Sequence, residues 1–162
     1  MLSCFFTGHR SAPFDTFLIS ETGNVIIDLI TKEGVTDFYT GGAIGWDTIC
    51  ARLVLTQKEK YPQIKLNLIL PCPPEQQILK WNDKQKEEYN MILKQADHTE
   101  IVSDNYTADC MKKRNARLVE LGDICICYYN ENDFRSGTGQ TVRMAQKANK
   151  TIFYLYTTIK IT

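Results

Sequence analysis

Four short stretches of this chain carry residue types suited to holding an anion. Thr7-Gly8-His9-Arg10 sets a guanidinium, which can fork onto a phosphate or carboxylate, beside an imidazole that titrates near neutrality. The plain alternative is an Arg10 paired with a surface carboxylate and a His9 that caps a turn. Gly41-Gly42-Ala43-Ile44-Gly45-Trp46-Asp47 is a glycine turn that runs into a helical pattern. Glycines let a ligand approach the backbone, and a helix start supplies unpaired N–H groups and a positive dipole end. Equally, such a turn serves as a tight corner, with Asp47 as an ordinary N-cap rather than a ribose ligand. Ser136-Gly137-Thr138-Gly139-Gln140-Thr141 is a second glycine turn before a second helix, with hydroxyls at Thr138 and Thr141. Two such turns hold two ends of one phosphorylated ligand, or they are two N-caps.

The fourth stretch is Met111-Lys112-Lys113-Arg114-Asn115. Met111 and Leu118 fall on one helical stripe, and Arg114 and Asn115 interrupt it. An inward arginine needs an anionic partner, either an internal Asp or Glu or a bound anion. Lys112, Lys113 and Arg117 read as a solvated face. Trp46 and Trp81 are candidates to stack on a base, although tryptophan at helical spacing also builds cores. No GxSxG elbow, no GxxxxGK[ST] loop and no Cys/His pair is legible, so neither an acyl-transfer nucleophile nor a Walker site is expected.

Positioning these stretches requires strands that end where they begin. Apolar runs at 2–6, 35–39, 64–70, 98–103, 123–129 and 152–156 read as six strands. Helical patterns alternate with them, including one polar helix over 75–96 anchored by Trp81, Tyr89, Ile92 and Leu93. Alternation of this kind predicts a three-layer, doubly wound α/β fold with a mainly parallel, Rossmann-like sheet. In such sheets ligands bind beyond the carboxyl ends of the strands, which is where the four stretches lie.

The bulk numbers agree with one domain over 1–162, large enough to bury a core without staples. Nineteen basic and 19 acidic residues give zero formal net charge, which counts against a nucleic-acid partner. Six cysteines without a CxxC pair, and only two histidines, predict no metal site. With neither a signal peptide nor an apolar run of membrane length legible, a cytoplasmic protein without a membrane partner is expected.

In order and spacing, Thr7–Arg10, Gly41–Asp47, Trp81, Arg114-Asn115 and Ser136-Gly137-Thr138 resemble the YpsA-like proteins of the SLOG superfamily. That Rossmann-like group also includes the DNA-processing protein DprA and the Lonely Guy enzymes. The resemblance implies a nucleotide-type small-molecule ligand, such as an ADP-ribose-like compound, sensed or sequestered with no cofactor required. Phosphate would sit on Gly41–Gly45 and Gly137-Thr138, neutralised by Arg10 and Arg114, with Asp47 on ribose and Trp81 over the base. A homodimer is expected because superfamily relatives often pair. The superfamily's N-glycosidic hydrolases offer an enzymatic alternative, in which Arg114 would be catalytic. Met111 and Arg114 match their MxxR motif, and Gly137-Thr138 matches part of PGGxGTxxE. Thr141 stands where their glutamate would be and cannot stabilise a developing ribosyl cation. A DprA-like single-stranded DNA role has Lys112-Lys113-Arg114 and Arg117 as its only footing.

Overall fold

The computed structural model describes residues 2–156. Its chain order is β1 (Ser3–Gly8), α1 (Thr16–Thr31), β2 (Asp37–Thr40), α2 (Trp46–Lys60), β3 (Lys65–Leu70), α3 (Pro74–Gln77), α4 (Asp83–Gln95), β4 (His98–Ile101), α5 (Cys110–Leu121), β5 (Ile124–Tyr128), α6 (Gly137–Lys147) and β6 (Thr151–Tyr154). A single 3-10 turn, Glu131–Asp133, precedes α6. The strands form one sheet in the order β4-β3-β2-β1-β5-β6, and every pairing is parallel. Rossmann-like α/β architecture is therefore the fold. Among the described residues no helix is long and apolar enough to cross a membrane.

Strand order explains where a site belongs. The chain lays β2, β3 and β4 on one side of β1, then returns to place β5 and β6 on the other. Connections leave the sheet in opposite senses around β1 and β5, which opens a crevice at their carboxyl ends. Both strands are central, and Cys4, Phe5, Phe6, Cys125 and Ile126 are wholly buried, as strands covered on both faces require. Phe6 stacks on Phe38 with ring centroids 6.0 Å apart. Trp46 opens α2 as a fully buried core residue, with its indole N–H donating to the Ile126 carbonyl at 3.4 Å. It packs against Gly8 so closely that a Cβ there would lie 2.3 Å from the indole ring.

Two expectations are corrected here. The polar helix expected over 75–96 is two helices separated by a turn. Asn82 breaks it by accepting the Gln85 N–H at 2.9 Å, while the Gln85 side chain accepts the Asn82 N–H at 3.0 Å. This reciprocal capping box starts α4 afresh and leaves Trp81 in the turn. Asp47 is not the N-cap of α2; Gly45 holds that position with φ of 76°, and Asp47 sits in the first turn.

Candidate functional site

A cavity of about 330 Å³ lies at the β1/β5 crevice. The end of β1 and its loop contribute Phe6 and Thr7 through Arg10. The start of α2 contributes Ala43 and Asp47. Helix α5 presents Met111, Arg114, Asn115 and Leu118, and the start of α6 closes the cavity with Ser136, Gly137 and Thr138. Residues separated by up to 132 positions, Phe6 and Thr138, thus meet because their strands are neighbours, Thr7 pairing with Cys127 and Gly8 with Tyr128.

Arg114 is the electrostatic centre. Its side chain is buried, 6% exposed. One terminal nitrogen donates to the Gly41 carbonyl, Nε donates to Asn115 Oδ1 at 2.7 Å, and Nη2 meets only the Met111 sulfur at 3.7 Å. Among the described residues no carboxylate lies within 4 Å of the guanidinium. Burial lowers the Arg114 pKa, an effect that nearby Asp47 opposes and Arg10 reinforces. Asp47 is buried too. Its carboxyl is pushed above the ordinary 3.8, first by burial, while Arg114, the Ala43 N–H and Arg10 pull it down. The Thr40 hydroxyl lies close enough to favour the Asp47 charge, yet it forms no hydrogen bond of full geometry. With His9 neutral, two arginines and one carboxylate leave the cavity one positive charge in excess. A buried cation without a direct counter-ion favours a bound anion.

The first glycine turn serves the protein rather than the cavity. Only Ala43 and Asp47 of 41–47 line it; Gly41, Gly42 and Gly45 lie behind. A Cβ on Gly41 would stand 2.2 Å from Arg114 Nη1, so glycine here lets the guanidinium reach the backbone. A Cβ on Gly45 would stand 2.2 Å from the Arg10 carbonyl. The turn's amides find protein acceptors as well. Ala43 N–H donates to Asp47 Oδ2 at 3.1 Å, and Trp46 N–H donates to the His9 carbonyl at 3.3 Å. The structure therefore does not bring Gly41, Gly42 and Gly45 to the place where a phosphate cradle was expected.

The second turn is arranged differently. Ser136 caps α6, its hydroxyl accepting the Gly139 N–H at 3.0 Å and donating to the Asp133 carbonyl at 2.7 Å. The Gly137 and Thr138 amides, first in the helix, have no protein acceptor among the described residues. They adjoin the cavity, and the positive end of the α6 dipole adds to them. Thr141 is fully buried and donates to the Gly137 carbonyl at 2.8 Å, so it stands outside the cavity.

His9 lines the cavity but is committed to structure. Its Nε2 accepts the Asn130 N–H at 3.0 Å, while Nδ1 lies 3.9 Å from Asp133. Burial lowers its pKa, with Asp133 opposing. A neutral imidazole therefore clasps the β1 loop to the loop after β5. Arg10 is exposed and has no carboxylate within 4 Å among the described residues. Trp81 stands outside this cavity, edge-to-face on Tyr89 at 5.4 Å. One contributor carried no sequence expectation. Buried Gln77 donates to the Gly41 carbonyl at 3.4 Å and accepts the Tyr89 hydroxyl at 2.8 Å, bracing the acceptor that Arg114 uses. A buried glutamine in a polar helix carries no sequence signal of its own.

Comparison with known proteins matches a family described as the YspA SLOG family to residues 4–162. An uncharacterized SPbeta prophage-derived protein, YoqJ, of Bacillus subtilis is 30% identical over 135 residues, covering 76% of this chain and 77% of that protein. A UPF0398 protein of Bacillus licheniformis is 25% identical, and the chain spans 64% of its length. A UPF0398 protein of Bacillus pumilus is 29% identical, with 54% of its length spanned. Among solved structures, DNA processing protein A from Helicobacter pylori, described for its single-stranded DNA binding mode, superposes with a TM-score of 0.66 at 22% identity. That match covers 98% of this chain and 67% of the other. TM1055 gives a TM-score of 0.53 at 15% identity, covering 94% and 72%. Both structures share the fold.

Proposed function

The chain belongs to the YspA SLOG family, and on that premise we propose that it binds a nucleotide-type phosphate ester at the β1/β5 crevice. The observation carrying this reading is the buried Arg114 guanidinium with no carboxylate in contact, beside the open amides of α6. The phosphate sits between Arg114 and the Gly137-Thr138 amides, and Arg10 adds charge from the rim. Asp47 accepts a ribose hydroxyl. The ligand is held rather than cleaved: His9 Nε2 already accepts a backbone N–H, and Thr141 is turned into its own helix. Asp47 is the one carboxylate among the described cavity residues, so N-glycosidic hydrolysis would have to rely on it.

A single-stranded DNA role has less support. Arg117 is engaged by Glu100 at 2.8 Å, and Arg114 is buried, which removes most of the basic footing along α5. The test is a thermal shift with ribose 5-phosphate, AMP, ADP-ribose and a single-stranded oligonucleotide. Saturating ligand at about 100 Kd adds about 2.7 kcal/mol, a rise of several degrees. Wild type should gain it from the phosphate esters, and Arg114→Ala should not. Equal, unshifted transitions in both proteins would end the proposal. Chromatography of long AMP incubations should show intact nucleotide; free adenine dependent on Asp47 would favour hydrolysis.

A further inference from the structure

The cavity already holds one negative group of its own. Asp47 lines it from the first turn of α2 and is only 6% exposed. Its Oδ2 accepts the Ala43 N–H at 3.1 Å. Among the described residues no lysine, arginine or histidine nitrogen lies within 4 Å of the carboxylate. Arg114 and Arg10 act on it through space, and these are the two cations of the same cavity. A carboxylate at this depth without a contact partner is costly, and the two fixed cations at longer range offset that cost.

An incoming phosphate or sulfate needs those same cations. It also enters a confined space that contains a negative charge, where little water screens the repulsion. A proton on Asp47 removes the repulsion and leaves both arginines to the ligand. Binding and protonation are then reciprocal: an anion that prefers the protonated form must itself favour protonation.

The groups facing Asp47 from the surrounding elements leave that proton to it. In the loop after β1, His9 already uses Nε2 to accept the Asn130 N–H, and Arg10 is a fixed cation. Helix α5 supplies the Arg114 guanidinium, and β2 supplies the Thr40 hydroxyl. On α2 itself the Cys50 thiol is held neutral, pushed up first by burial and then by Asp47. Tyr89 of α4 shares a small void with Asp47, and burial raises its phenol as well. The start of α6 brings Ser136, Gly137 and Thr138, none of which titrates. Burial pushes the Asp47 carboxyl above its ordinary 3.8 before any anion arrives.

We infer that anion binding in this cavity is coupled to proton uptake at Asp47, so that the site fills more tightly as its surroundings acidify. This inference rests on the phosphate-ester reading of the cavity and adds a regulation to it. The proton comes from solvent onto the Asp47 carboxyl, whose Oδ2 faces the Ala43 N–H.

Calorimetric titration of sulfate into wild type and Asp47→Asn tests it. Sulfate stays a dianion across the range, so any pH dependence belongs to the protein. Wild type should bind sulfate about 10-fold more tightly at about pH 5 than at about pH 8. Its binding enthalpy should vary with the ionisation enthalpy of the buffer, as proton uptake requires. Asp47→Asn, whose side-chain oxygen can still accept the Ala43 N–H, should bind at about pH 8 about as tightly as wild type does at about pH 5, and lose the buffer dependence. Should that variant fail to fold, carbon-detected NMR of the wild-type aspartate carboxyls reads the same coupling: sulfate should move the Asp47 midpoint upward. Sulfate affinity that is flat with pH, an enthalpy indifferent to buffer, or a coupling that persists in Asp47→Asn overturns the inference and leaves the cavity reading standing. Sulfate that binds wild type at no pH also overturns it, and ribose 5-phosphate in the same calorimeter then decides whether the cavity reading survives.

Discussion

The turns at 41–45 and 136–139 look alike as sequence and differ in what they do with their backbone. Each is glycine-rich and opens a helix, the first directly after β2 and the second after the 3-10 turn that follows β5. In the first, the Gly41 carbonyl holds Arg114, and the Ala43 and Trp46 amides bind Asp47 and His9. In the second, the Ser136 side chain takes the third helical amide, and the first two adjoin the cavity. One turn positions the Arg114 guanidinium; the other leaves two amides open toward the cavity. A glycine turn before a helix is therefore two different devices, distinguished by whether a protein side chain already fills the concavity.

Substitutions at the glycines break this comparison most severely. Gly45→Ala meets a positive φ of 76° and a Cβ position 2.2 Å from the Arg10 carbonyl. It should cost about 3 kcal/mol or more, read as a shifted urea midpoint. Gly41→Ala should displace the guanidinium that stands 2.2 Å from its Cβ position. Ribose 5-phosphate affinity should fall at least about 10-fold, with a stability loss of about 1–3 kcal/mol. Gly137→Ala is the counterpart: the nearest atom to its Cβ position is Asn115 Nδ2 at 3.8 Å, an ordinary contact. The comparison predicts a stable protein that retains phosphate binding; a collapse like that of Gly41→Ala would show that the second turn is packed like the first.

Smaller effects sharpen the same contrast. Ser136→Ala should cost about 1 kcal/mol through the lost cap while the Gly137 and Thr138 donors persist. Asp47→Asn probes the cavity carboxylate that accepts the Ala43 N–H of the first turn. Burial raises the folded carboxyl above 3.8, so its contribution to stability is full below that value and is lost as pH rises through the folded pKa. Melting curves should therefore show Asp47→Asn gaining on wild type toward pH 7, with the difference closing as pH falls toward 3.8. His9 behaves oppositely. Its pKa is lowered below 6.5 by burial, so its contribution is full above 6.5 and is lost as pH falls through the folded value. His9→Gln should flatten the wild-type melting temperature below pH 6.5.

Much of the fold was legible because its signals are local. Six apolar runs alternate with helical patterns, and parallel pairing follows from crossovers of that length. The capping box at Asn82 and Gln85 is equally local, yet the single helix expected over 75–96 ran through it, so the break that leaves Trp81 in a turn was missed. The inward placement of Arg114 followed from the stripe it shares with Met111 and Leu118, both of which line the cavity. The identity of Arg114's partner did not follow. It is a backbone carbonyl 73 residues away, not an aspartate or glutamate. Nor was the division of labour between the turns visible, since Ala43 and Gly137 amides are identical as sequence.

By itself, then, the sequence determined an α/β chain with its polar, glycine-rich stretches at the strand ends, because helical and strand periodicities and helix caps depend on neighbours within a few residues. Only the tertiary structure decided which stretches meet. Strand order brings β1 against β5 and opens the crevice there, and the approach of Arg114 to Gly41 closes one turn while leaving the other open. The physical reason is that burial and hydrogen-bond satisfaction belong to the packed molecule. An amide is a ligand donor only where no side chain arrives first, and an arginine is a ligand cation only where no carboxylate does.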